Sequence, residues 1–217
     1  MNTMSGNSSD GETNSDHQWD IKPLGLSHGK RKSAFLPYKP NNIVLTNLQR
    51  GNTEASISEE IHLSFHERAG QGEISKEQVL QEAGIDVLDS YGYTPLHWAC
   101  HYGQLCSVQV LIDCGANVNK QAPDMITPLL LSASGGHHEI VRLLLKSGAE
   151  VDHMDIEGNT ALMFAAAGNH PHTCNELLSF GGSNFTTENE HGDTAYSLAV
   201  FNNSSLAIKL FDRYLSE

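Results

Sequence analysis

Twelve histidines and four cysteines are the side chains of this 217-residue protein with the most reactive chemistry to offer. A zinc site would set them at ligand spacing, with C-x-x-C pairs or histidines three to five residues apart. Cys100, Cys106, Cys114 and Cys174 form no such pair, and His137-His138 and His170-x-His172 lack a cysteine or carboxylate that completes a set of four. No metal and no cofactor are therefore expected. Nucleophilic catalysis would need a Ser or Cys beside a base that a carboxylate orients, and phosphate chemistry a glycine-rich cradle. Neither pattern stands out, so no catalytic residues and no enzyme are expected. Four aromatic side chains crowded into residues 91–102, Tyr91, Tyr93, Trp98 and Tyr102, suggest another chemistry. Flat amphipathic rings serve recognition better than reaction.

The elements that must position those rings repeat. Four segments read T-P-L-H-W-A from Thr94, T-P-L-L-L-S from Thr127, T-A-L-M-F-A from Thr160 and T-A-Y-S-L-A from Thr194, at spacings of 33, 33 and 34 residues. Gly115-Ala116, Gly148-Ala149 and Gly181-Gly182 each follow their threonine by 21 residues. Each threonine stands where an N-cap side chain satisfies the first free amides of a helix, and Pro95 and Pro128 follow at the position that needs no N–H. The first helix of each unit carries small residues at Ala99-Cys100, Ser132-Ala133, Ala165-Ala166 and Ala199-Val200. The second carries bulky ones at helical spacing, such as Val108-Leu111-Ile112 and Val141-Leu144-Leu145. A 33-residue period with T-P-L-H-x-A resembles the ankyrin repeat. The fold class that follows is an all-α solenoid of about five repeats with β-hairpin fingers, preceded by a disordered N-terminal arm.

The expected division is an arm over 1–55 and a repeat domain over 56–217, with units at about 56–90, 91–123, 124–156, 157–190 and 191–217. Phe65 to Gly84 is read as a worn N-terminal cap in which Arg68 replaces a small interior residue. The last unit, with Asn203 where Gly103 stands, is read as the C-terminal cap. Residues 1–50 carry six Lys/Arg against four Asp/Glu, and residues 51–217 seven against twenty-two, a formal balance of −15. Such a surface repels phosphates, so direct contact with nucleic acid is not expected. The N-terminus lacks a basic and apolar leader and no apolar run is long enough to span a bilayer, so neither a secretory signal nor a membrane role is expected. The cysteine pattern fits a reduced compartment. Lys30, Arg31 and Lys32 could serve nuclear import or stand as a solvated cluster.

The segment Leu45-Thr46-Asn47-x-Gln49-Arg50-Gly51-Asn52, with Gly168-Asn169-His170 and the one-residue insertion before Thr194, resembles the family of the regulatory factor X-associated ankyrin protein and the ankyrin repeat family A protein. The likeness spans roughly residues 42–217. It implies a peptide-binding adaptor whose groove takes extended Pro-x-Leu-Pro-x-Leu/Ile segments. The implied partners are regulatory factor X-type transcription factors and histone deacetylases. The chain would be a monomer within a hetero-complex in the nucleus, with the cytoplasm as a second location. A cytosolic adaptor on an enzyme or receptor tail is the alternative. The groove positions of an ankyrin stack fall on Tyr91, Tyr93, Trp98, His101 and Tyr102; on Asp124, Ile126, Leu131 and Ser134; on Ile156, Asn159 and Phe164; and on Asp193 and Phe201. Trp98, Leu131, Phe164 and Leu198 share one position, four residues after each threonine. They are expected either as a stripe facing the peptide or as packing between neighbouring first helices, with Trp98 favoured for the peptide. His97 is expected to bond the next finger's backbone. The family has Trp where this chain has Ile156 and Tyr where it has Phe164, so the peptide preference is expected to shift.

Overall fold

The computed structural model describes residues 63–216 apart from 83, 182 and 183. The expectations for the arm over 1–55, for the 45–52 segment and for Lys30, Arg31 and Lys32 lie outside those residues. Ten α-helices follow in order among the described residues: α1 (Phe65–Gln71), α2 (Lys76–Gln81), α3 (Pro95–His101), α4 (Leu105–Asp113), α5 (Pro128–Gly135), α6 (His138–Lys146), α7 (Ala161–Ala167), α8 (Pro171–Ser179), α9 (Ala195–Phe201) and α10 (Ser205–Ser216).

Each threonine caps its helix. Thr94 accepts from the His97 amide, Thr127 from Leu130, Thr160 from Met163 and Thr194 from Ser197. One otherwise orphaned N–H is satisfied at every start. In the worn first unit Ser64 takes over this role, and the Glu67 side chain returns a bond to the Ser64 amide at 2.8 Å. Helices this short are marginal alone, so packing must hold them.

The odd-numbered helices lie side by side in one layer and the even-numbered ones in a second. Ala99, Cys100, Ser132, Ala133, Ala165, Ala166 and Ala199 are wholly buried, which lets neighbouring first helices approach closely. Val200, expected in the same role, stays exposed, since among the described residues no further first helix packs on α9. Val108 and Leu111 of α4, Ile140 and Leu144 of α6, Leu177 of α8 and Phe211 of α10 build a continuous core beneath Leu96, Leu129 and Leu162. Burial pushes the thiols of Cys100 and Cys174 up, the latter to about 12, so both act as apolar filler. No helix among the described residues is long and apolar enough to cross a membrane.

The fingers differ from expectation. Among the described residues there is no strand, and Met154 and Thr160 form one isolated bridge. Instead of β-hairpins the chain makes tight turns, each closed by two backbone bonds. One runs from the Asp89 amide to Tyr93 at 2.9 Å, Ala122 to Ile126 at 2.8 Å, Asp155 to Asn159 at 3.1 Å and Asn189 to Asp193 at 3.0 Å. The other runs from Gly92 to Asp89 at 3.1 Å, Ile126 to Pro123 at 3.2 Å, Gly158 to Asp155 at 3.0 Å and Gly192 to Asn189 at 3.0 Å. Five residues folded this tightly leave no arm long enough for a ladder.

Candidate functional site

The turns between units are built on one repeated side chain. Asp89, Asp155 and Asn189 each stand five residues before a capping threonine. Asp89 Oδ1 accepts the amides of Tyr91 and Tyr93 at 2.9 and 2.8 Å. Asp155 Oδ1 takes those of Glu157 and Asn159 at 3.0 and 2.7 Å, and Asn189 Oδ1 those of His191 and Asp193 at 3.0 and 2.9 Å. Short Asx side chains hold the backbone in the turn in this way. The sequence reading passed over these residues, although their fixed offset from the threonines was visible.

One finger departs from the pattern. Ala122 replaces the Asx residue, Pro123 follows, and Asp124 and Met125 both adopt left-handed backbone at φ 58° and 59°. At the position of Met125 the other three fingers carry Gly92, Gly158 and Gly192. Adjacent fingers are joined where the Ile156 amide donates to the Asp124 carbonyl and the Glu190 amide to that of Glu157, both at 3.0 Å. Pro123 has no amide to offer in that register, and its ring instead lies against Gly92.

Several residues expected on the groove are inside. Trp98 is 6% exposed, and its indole N–H donates to Asp89 Oδ2 at 2.8 Å. Its ring packs beside His66 and Tyr102, at centroid distances of 6.4 and 6.0 Å. Leu131, Phe164 and Leu198 are also buried. The open stripe is thus corrected to packing between first helices: at this position each side chain meets the neighbouring helix before it meets solvent. Tyr93 is buried edge-on against His97 at 5.7 Å, and burial pushes its phenol up to about 12. Ile126 is 1% exposed. Asn159 is sealed, giving its amide to Asp155 Oδ2 at 3.2 Å and accepting from Asn189 at 2.8 Å.

Tyr91, His101, Tyr102, Asp124, Ser134 and Asp193 remain half-buried, while Ile156 is 59% and Phe201 63% exposed. Met125, which the sequence reading missed, joins this accessible set at 44%. Its departure from the glycine register was the available signal.

The histidines bond backbone. His97 accepts the Thr94 amide at 3.2 Å through Nδ1, and its Nε2–H donates to the Ile126 carbonyl of the next finger at 3.2 Å. This is the bond expected of it. Burial holds His97 neutral, down to about 4, and His101 to about 3 with His137 beside it. His137 and His170 donate to the carbonyls of His101 and Ser134, both at 3.2 Å. No group of three or more His, Cys, Asp or Glu side chains among the described residues is arranged to hold a metal.

This geometry joins helix pairs through capping threonines, a finger-bonding histidine and small-residue contacts, and a family model described as ankyrin repeats (three copies) matches residues 61–155 and again 129–214. The chain belongs to the ankyrin-repeat family. It is similar to the human DNA-binding protein RFXANK, with 35% identity over 100 residues that cover 44% of this chain and 38% of the relative. Human Ankyrin repeat family A protein 2 is 36% identical over 107 residues, covering 48% and 34%. Human transient receptor potential cation channel subfamily A member 1 is 35% identical over 81 residues, covering 36% of this chain and 7% of the channel. The matched stretch spans less than two fifths of each of these relatives. A channel matching as closely as RFXANK means that the ankyrin repeats specify a scaffold and leave the partner open.

Proposed function

We propose that this ankyrin chain is a non-enzymatic nuclear adaptor that captures an extended Pro/Leu-rich segment of a partner protein along its fingers and first helices. One observation carries the reading. Among the side chains left accessible there, Tyr91, Tyr102, Met125 and Ile156 are apolar or amphipathic and come from neighbouring units. A strand laid across neighbouring units would meet such contacts in turn, which is how an extended peptide gains affinity. The 45–52 segment supports a regulatory factor X-type transcription factor as the partner, with a histone deacetylase as another. RFXANK is named for binding DNA. In this chain the −15 balance of residues 51–217 opposes direct contact, so a partner would supply it. The likeness to a channel favours a second reading, a cytosolic adaptor on an enzyme or receptor tail.

The test is fluorescence anisotropy of the full chain with a labelled peptide carrying Pro-x-Leu-Pro-x-Leu. Binding in the micromolar range or tighter is expected, weakened about tenfold or more by Ile156→Asp if this exposed residue is a contact hot spot. No binding below millimolar concentration overturns the peptide reading. Imaging of the intact protein separates nucleus from cytosol.

A further inference from the structure

Charge in this molecule is sorted by element. The inter-unit segments 84–93, 115–126, 148–159 and 184–193 hold ten carboxylates and a single lysine, Lys120. The other lysines and arginines of residues 63–216 all lie on helices: Arg68, Lys76, Arg142, Lys146, Lys209 and Arg213. The lysine and arginine ion pairs keep this division, while within the 148–159 segment His153 lies 3.8 Å from Glu150. Arg68 meets Glu82, Lys76 meets Asp113 at 3.1 Å and Arg142 meets Glu176 at 3.8 Å, each between helices or their ends.

An apolar patch stands within that acidic edge. Met125 and Ile156 are exposed at neighbouring finger tips, held together because the Ile156 amide donates to the Asp124 carbonyl at 3.0 Å. The same ladder continues from Glu157 to Glu190 through another 3.0 Å bond. His153 reinforces the arrangement by donating from Nε2 to the Met125 carbonyl at 2.8 Å. Met125 keeps left-handed backbone where glycine serves in the other fingers, so its side chain is displayed there against the local preference. Aliphatic surface set among the carboxylates of Asp124, Glu157 and Glu190 complements a side chain of opposite charge beside an aliphatic one.

We propose that the ligand of the finger edge is a segment in which lysine or arginine flanks the aliphatic core, the cations over Asp124, Glu157 and Glu190 and an aliphatic side chain on Met125 and Ile156. This rests on the adaptor reading above and adds the charge of the ligand to it. A neutral flank forgoes this attraction and an acidic one is repelled.

The experiment uses the full chain and three fluorescein-labelled peptides sharing the core Pro-Ala-Leu-Pro-Ala-Leu, flanked by lysines, glutamines or glutamates. Two or three exposed ion pairs make the lysine peptide bind about tenfold tighter than the glutamine peptide at low salt, with the glutamate peptide weakest. That advantage shrinks towards unity at about 0.5 M NaCl, where the screening length falls to a few ångströms. Replacing Glu157→Gln together with Glu190→Gln cuts the advantage about threefold. The salt series needs no variant and stands even if the double variant misfolds. Equal affinity for all three peptides at low salt overturns the charge assignment and leaves the adaptor reading in place. No binding by any of them overturns both. A mass doubled by self-association through this edge, blocked by Ile156→Asp, also overturns the assignment, since the occupant would be a second copy.

Discussion

Trp98 fills the gap between α1 and α3 and spends its one polar hydrogen on Asp89 at 2.8 Å. Truncation removes both contributions. Trp98→Ala should lower unfolding stability by ~3–5 kcal/mol, the usual cost of emptying a packed aromatic site. Trp98→Phe should cost less, about 1–2 kcal/mol, because it keeps most of the ring and loses the bond. Urea unfolding of the full chain reads both, and an unchanged midpoint for Trp98→Ala would place the side chain outside the core. His97 gives a pH signature. Unfolded, it takes up a proton near 6.5; folded, burial delays this to about 4. The unfolded state therefore binds more protons in that window, and stability is full above pH 6.5 and falls as pH drops towards 4. The loss from His97 alone is about 2 kcal/mol near pH 5. A flat urea midpoint between pH 7 and 5 would contradict a buried neutral imidazole. The capping threonines and the His97 bond were legible in the sequence, because helix chemistry is local. The fate of Trp98 was not, since burial at that position depends on how closely α1 and its His66 approach, and only the stacked neighbours decide that.

The fingers show what a repeat allows and forbids at one position. Gly158 has φ +77°, and a Cβ there would lie 3.2 Å from the Asn189 Cα and the Glu190 amide nitrogen, both backbone atoms that cannot yield cheaply. Gly158→Ala should therefore destabilise by ~1–3 kcal/mol. Met125 holds the matching backbone at φ 59° with a side chain in place. Met125→Gly relieves a left-handed penalty of about 1 kcal/mol and should raise the melting temperature or leave it level. If Met125 belongs to the partner-binding edge, the same variant weakens peptide affinity. Scanning calorimetry on both variants checks the pair, and a stabilising Gly158→Ala would show the contact to be looser than the geometry says. Helix starts and the alternation of a small-residue first helix with a bulky second one could be read from spacing alone. The expected β-hairpins could not be distinguished from turns, because the segments carry the same Asx and glycine residues either way. What separates the two is the number of backbone bonds that fit, and here each finger holds only the two that close its turn.

For the whole stack, sorting the carboxylates onto one edge has a cost that a mixed surface would avoid. Of the ten acidic side chains in the four inter-unit segments, Asp155 is buried and Asp89 is tied to two amides and the Trp98 indole; the other eight share those segments with a single lysine. Like charges on successive fingers repel, and the unfolded chain relieves this by spreading them apart. Added salt screens that repulsion in the folded state, so the melting temperature should rise with NaCl at about pH 7.5, where His97 is neutral folded or unfolded and contributes nothing. The opposing effect is small. The Lys76–Asp113 and Arg142–Glu176 pairs are open to solvent on at least one side, and surface pairs contribute ~0–1 kcal/mol each before screening. Only Arg68–Glu82 is more enclosed. Repulsion among the eight remaining carboxylates should outweigh them, so the net slope is positive. The sign also tests the binding proposal from the side of the free protein. An edge kept acidic against its own stability is one that a cationic segment relieves on arrival, so saturating lysine-flanked peptide should raise the melting temperature most at low salt and least at high salt. A melting temperature that falls as NaCl is added would mean that attraction, not repulsion, governs this surface.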